Sequence, residues 1–193
     1  MNTLNADYWN NRHQAGDTPW NIKMPSPPIT SYIDQLKDKN ISILIPGAGH
    51  SHEATYLIDH GFENITVCDI SEVAIQKMKL QMNNRILINY LNIDFFVLDG
   101  TFDLIIEQTF FCAIDPVIRS KYVDKMSTLL KPDGKLVGVL FGIEFPHKGP
   151  PFGGHISEYK SLFSPKLHIQ TMEICYNSIP QRMGNELFFI CKN

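Results

Sequence analysis

The stretch Ile41-Ser42-Ile43-Leu44-Ile45-Pro46-Gly47-Ala48-Gly49-His50 narrows the folds open to this chain more than any other. Ile41, Ile43, Leu44 and Ile45 crowd into one short run, the pattern of a strand buried on both faces. Pro46 cannot donate to a sheet ladder, so the strand should end there. Gly47 and Gly49 then permit a tight turn and a close backbone approach to a ligand. Glu53 to His60 reads as a helix that stops at Gly61, a natural residue just beyond a helix end. Strand, glycine turn and helix form the nucleotide-cradling start of a doubly wound unit, although the third glycine of the dinucleotide fingerprint is missing.

The rest of the chain repeats the alternation. Ile65 to Cys68 is a second strand ending at Asp69, and Ser71 is placed to cap a helix over Glu72 to Met82 that Asn83-Asn84 closes. A third apolar stretch, Ile86 to Leu91, leads to Asn92-Ile93-Asp94-Phe95-Phe96, and Phe102 to Glu107 is a fourth strand ending in an acid. Asp115-Pro116 opens a helix marked by Ile118, Tyr122, Met126 and Leu129. Lys131-Pro132-Asp133-Gly134 reads as a turn before a fifth strand, Lys135 to Phe141. Such alternation means an α/β fold with a parallel sheet and helices on both faces. The tail departs from it: Leu167 to Tyr176 and Glu186 to Cys191 are extended runs with no helix fitting between them, so they should pair antiparallel.

Upstream, both tryptophans, Trp9 and Trp20, lie in a leader whose Pro25-Ser26-Pro27-Pro28 cluster marks a break before a helix from Ile29 to Leu36. One domain over residues 1–193 is expected, with 1–28 as an aromatic N-terminal flap and 29–193 as the core. The net charge of −3 offers no basic footprint, so neither nucleic acid nor an anionic membrane is an expected partner. No apolar run is long enough to span a bilayer, and no basic-then-apolar leader precedes the fold. Cys68, Cys112, Cys175 and Cys191 are scattered without a Cys-x-x-Cys pair, which predicts a reduced, cytoplasmic protein. His50-x-His52-Glu53 does not match a zinc helix, and no metal is expected.

Several segments in order resemble the thiopurine S-methyltransferase family, which includes thiol and halide methyltransferases. They are Trp9 with Gly16-x-Thr18-Pro19-Trp20, Ile45 to Gly49, Asp69-Ile70-Ser71, Asp94-Phe95-Phe96, Gln108 to Ala113, and Gly149-Pro150-Pro151-Phe152. The resemblance implies a Rossmann-like class I fold, S-adenosylmethionine as cofactor, a small-molecule methyl acceptor and a monomer. It places Trp9, Trp20, Gly47, Asp69, Ile70, Asp94 and Phe95 around the cofactor, and Arg119 and Phe152 near the acceptor. His13 stands where some relatives carry a third tryptophan, which predicts a more open aromatic wall.

Each residue has an ordinary role beside the functional one. Asp69, ending its strand, accepts ribose hydroxyls or merely caps the next helix. Asp94 receives the adenine amino group, with Phe95 and Ile70 flanking the ring, or is a turn aspartate beside a core phenylalanine. Gly49 joins Gly47 in bringing backbone to the cofactor's amino-acid end, where Glu107 holds an ammonium or is a solvated strand end. Trp9 and Trp20 attract a sulfonium cation or staple the leader to the surface. Phe110 and Phe152 wall an apolar acceptor pocket; Arg119 draws in a negative acceptor or is a helix-surface arginine. A thiolate or halide brings its own lone pair, so a transferase for such acceptors requires no general base. The readings in competition are a non-catalytic S-adenosylmethionine-binding module and a nicotinamide-dependent oxidoreductase.

Overall fold

A computed structural model describes residues 4–83 and 88–193. Asn84 and the start of the third apolar stretch, Ile86, lie outside the described residues. The sheet has strands β1 (Ile43–Pro46), β2 (Ile65–Asp69), β3 (Ile88–Asn92), β4 (Phe102–Gln108), β5 (Leu130–Phe141), β6 (His168–Ile174) and β7 (Glu186–Lys192), in the order β3-β2-β1-β4-β5-β7-β6. The first five are parallel to one another; β7 runs antiparallel to both β5 and β6. The expected sheet with its antiparallel tail is therefore what the chain builds.

Every residue of β1 is buried because the strand is covered on both sides. Ile43 and Ile45 pack with Ile29 and Ile33 of α2 (Pro27–Ile33), Leu57 of α3 (His52–Asp59), and Ile75 and Met78 of α4 (Glu72–Gln81). Leu44 faces the other way, toward Tyr122 and Met126 of α5 (Arg119–Leu129) and Phe163 of α6 (Ile156–Phe163). Alternate side chains of one strand thus join two separate cores. Ser71 caps α4 as expected, its hydroxyl accepting from the Ala74 N–H.

Three local features differ from the expectations. Pro27 and Pro28 open α2 instead of breaking the chain before it, because a first-turn residue has no helical use for its N–H. The expected Lys131–Gly134 turn lies inside β5 as an irregularity, where pairing jumps from Phe102↔Leu130 to Leu104↔Lys135 and Asp133 takes φ +66°. The leader contains a helix, α1 (Ala6–Ala15), capped by Asn5 at its start and by Gly16 at φ +69° at its end. Its residues form no apolar stripe, and His13 is its buried side chain, so hydrophobic periodicity could not reveal it.

Candidate active site

After β3 the chain crosses to the far side of β1, so β1 and β4 are neighbours whose onward connections leave in opposite directions. Loops at such a switch point diverge and leave a crevice at the carboxyl ends of the strands. Here the crevice is a cavity of about 910 Å³, lined from the ends of β1, β2, β3 and β4, from the N-terminal segment, and from the loops beside β5 and β7.

Gly47 and Gly49 turn with φ +55° and +52°. A Cβ on Gly47 would lie 2.1 Å from Cδ2 of Phe110, so only glycine lets the β1 and β4 loops approach this closely. The Asp69 carboxylate accepts from Gly49 N–H at 2.9 Å and from Ser71 N–H at 2.8 Å, one bond to each oxygen. Burial raises its pKa, against the downward pull of those two N–H groups. Among the described residues each oxygen accepts this one bond, which leaves it a lone pair, and Asp69 and Ile70 both line the cavity. Asp94 caps its own short turn, accepting from Phe96 N–H at 2.9 Å, and lines the cavity beside Phe95. The Phe95 ring meets that of Phe110 edge-on at 5.2 Å.

The opposite wall comes from the leader. Trp9 on α1 and Trp20 meet edge-on at 5.5 Å, and the Arg12 guanidinium sits 4.8 Å from the Trp20 ring. His13 is buried against Trp20, its rings 5.5 Å apart, and fills the wall rather than opening it. Burial, followed by the charges around His50, Lys77 and Arg12, lowers the His13 pKa to about 4. The Asn10 side-chain oxygen fastens α1 to α4 by accepting from Ser71 Oγ at 2.8 Å and Val73 N–H at 3.2 Å; Lys77 Nζ adds a bond to the His13 carbonyl.

Much of the remaining lining is apolar, from Phe110 beside Gly47 to Ile114, Ile118, Phe141, Phe145, Pro150 and Pro151. Arg182 reaches this region, but its guanidinium is bound to Glu186 at 3.1 Å and to the Trp20 carbonyl at 3.2 Å. Asp115 is spent capping Val117 N–H at 3.0 Å. Thr109, a β-branched residue held at φ +58°, carries the chain from β4 into this wall.

The expectation therefore fails for three side chains, which do not line the cavity. Glu107 is fully buried behind the wall: one oxygen accepts from Phe110 and Phe111 N–H at 2.8 and 2.9 Å, the other from Tyr122 Oη at 2.6 Å. Desolvation raises its pKa to about 7, and no lone pair is directed at an ammonium. Arg119, 3% exposed, faces the core side and donates to the carbonyls of Phe152 and Gly153. Phe152 contributes its main chain, while Pro150 and Pro151 supply the lining. His147 and His155, which flank this loop, are exposed; His155 pairs with Glu144 at 3.3 Å. Among the described residues no group of three His, Cys, Asp or Glu side chains is placed to hold a metal ion. Sequence reasoning missed Asn10, Arg12 and Arg182, which lie in none of the segments quoted above.

The thiopurine S-methyltransferase family model matches residues 4–187. A probable thiol methyltransferase of Arabidopsis thaliana is 30% identical over 184 residues, covering 93% of this chain and 80% of the relative. A thiocyanate methyltransferase of Brassica oleracea is 30% identical over 192 residues, 95% of this chain and 84% of that protein. Among solved structures, the Burkholderia thailandensis 1,6-didemethyltoxoflavin-N1-methyltransferase, with 1,6-didemethyltoxoflavin and S-adenosylhomocysteine bound, superposes with a TM-score of 0.80. It covers 97% of this chain and 86% of its own at 16% identity, which speaks for the fold alone. The Bradyrhizobium japonicum N-methyltransferase NodS, also bound to S-adenosylhomocysteine, gives 0.72 at 19% identity over 98% of both chains. A family match over nearly the whole length and relatives at 30% identity place the chain in the thiopurine S-methyltransferase family, as an S-adenosylmethionine-dependent methyltransferase of the class I fold.

Proposed function

We propose that this enzyme methylates a small soft nucleophile, a thiol first and a thiopurine or halide by the same chemistry, through in-line displacement at the apolar part of the cavity lining. The observation that carries this reading is the contrast within one cavity lining. It presents the carboxylates Asp69 and Asp94 with a glycine loop, and otherwise aromatic and aliphatic side chains among which Arg182 and Asp115 are already bonded.

The residues present fit an adenosyl sulfonium. A desolvated carboxylate with two free lone pairs suits a ribose diol, so Asp69 would hold the sugar. Asp94 would receive the adenine amino group between Ile70 and Phe95, and Gly47 and Gly49 leave room for the amino-acid end. The Trp9 and Trp20 faces would attract the cationic sulfur by roughly 0.5–2 kcal/mol. When bound, the cofactor supplies a methyl group on that cationic sulfur. Phe110, Phe141 and Phe145 exclude water from the acceptor, which makes an anionic nucleophile more reactive. A thiolate needs no base, and the site fits that: burial pushes the Cys68 and Cys112 thiols up to about 12, so neither offers a competing thiolate.

The names of the Arabidopsis and Brassica relatives point the same way, toward small sulfur nucleophiles. Four free buried cysteines accord with a reducing, cytoplasmic setting, and one continuous sheet with a single domain. The test is a transfer assay with small thiols, thiopurines and halides, following S-adenosylhomocysteine release and volatile methylated product. We expect turnover with at least one thiol. Tight cofactor binding with no transfer to any of them would leave a non-catalytic binding module instead.

A further inference from the structure

We propose that Arg119 is a positioning residue for the acceptor, tying together two segments of the cavity's apolar lining; this rests on the function proposed above. Arg119 opens α5, one residue after Ile118, which lines the cavity. Its guanidinium donates to the Gly153 carbonyl at 3.0 Å and the Phe152 carbonyl at 3.1 Å. The same group lies 4.4 Å from the Phe111 ring and 5.7 Å from the Tyr159 ring. Its acidic neighbour, Glu158, is 3.5 Å away and half exposed, so the buried charge is carried largely by two loop carbonyls and two ring faces.

The loop has few other anchors. Phe152 N–H donates to the Cys112 carbonyl at 2.7 Å and Gly154 N–H to the Ile143 carbonyl at 3.0 Å. Gly153 packs so closely that a Cβ would lie 1.7 Å from the Ile143 oxygen. From this pinned segment Pro150 and Pro151 line the cavity, as do Cys112 and Ala113 of the adjoining turn that includes Phe111. The planar fork of arginine meets adjacent carbonyls with two parallel donors, which a lysine cannot reproduce. Arg119 therefore fixes the width of the acceptor slot without entering it, and the residues proposed to hold the cofactor share none of these contacts.

The test compares Arg119→Lys and Arg119→Met with the wild type. Acceptor KM should rise about tenfold or more in the methionine variant and less in the lysine variant, the scale expected when a wall shifts by a fraction of an ångström. The affinity for S-adenosylhomocysteine, read by calorimetry, should stay unchanged. Amide hydrogen exchange should quicken at Phe152 and Gly154, whose N–H groups pin the loop, and not in the strands. Unchanged KM with a fall in kcat, or faster exchange throughout the sheet, would overturn the proposal and leave Arg119 a core residue. Should the methionine variant fail to fold, the lysine variant decides by the same readings. The exchange measurement needs no acceptor, so it stands even if the assigned acceptor class is wrong.

Discussion

On the function proposed above, Asp69 and Gly47 are the residues on which cofactor binding would turn, for different reasons. Asp69→Ala removes a desolvated carboxylate and strands the Gly49 and Ser71 N–H groups, so cofactor affinity should fall by about 1–3 kcal/mol in calorimetry. An unchanged affinity would remove Asp69 from the site. Gly47→Ala forces a side chain into φ +55°, costing about 1–2 kcal/mol, and into the Phe110 ring. It should lower the melting temperature and weaken S-adenosylhomocysteine binding together; a variant that binds normally would show that the two loops need not touch. Their placement on the cavity was legible in the sequence, because a glycine turn after a strand and an acid at a strand's end fall at the carboxyl edge of a parallel sheet. Glu107 and Arg119 were equally visible as residues but not as directions. Whether a side chain beside the switch point faces the crevice or the helix layer depends on the twist of the sheet and on partners such as Tyr122 and Phe152.

At the scale of elements, the N-terminal helix decides how the cofactor end is closed. α1 is held to α4 through Asn10, and the hydroxyl of Ser71 both caps α4 and donates to Asn10. Asn10→Ala removes two hydrogen bonds at about 0.5–1.5 kcal/mol each, and should quicken hydrogen exchange over residues 6–15 while the strands keep their protection. Exchange rising equally in β1 and β4 would mean the helix is part of the core. Trp20→Ala should lower kcat/KM by a few-fold to about 30-fold, the factor matching roughly 0.5–2 kcal/mol of cation attraction, with melting still cooperative. Loss of cooperative melting would make Trp20 a staple. The helix escaped the sequence reading because it is capped and polar rather than amphipathic, and its docking rests on one asparagine and one lysine from which no periodicity follows.

For the molecule as a whole, two buried groups oppose each other in pH dependence. The folded Glu107 titrates at about 7 against an ordinary 4.5, so the folded state holds its proton more tightly and stability falls as pH rises from about 4.5 to 7. The folded His13 titrates at about 4 against 6.5, so stability is lost as pH falls from 6.5 toward 4. Each displacement is worth roughly 3 kcal/mol at full titration, and they nearly cancel between about 4.5 and 6.5. These two contributions therefore leave little net slope in thermal melting there, and Glu53 and Asp69, shifted upward by burial, and His50 and His52, shifted downward, add to the two sides in the same senses. Glu107→Gln should become less stable as the pH drops, and His13→Asn more stable; parallel profiles for all three would refute the pairing. By itself, the sequence settled the succession of strands and helices after α1 and up to β5, the glycine turn, the acid-tipped second strand and the antiparallel tail. These follow from local properties: side-chain period, allowed φ, and which backbone groups can bond. Only the tertiary structure decided that Glu107 and Arg119 brace the wall from behind, that His13 closes it, and that Pro150 and Pro151 line it. Those roles depend on where distant segments meet across the sheet, and no spacing along the chain encodes that distance.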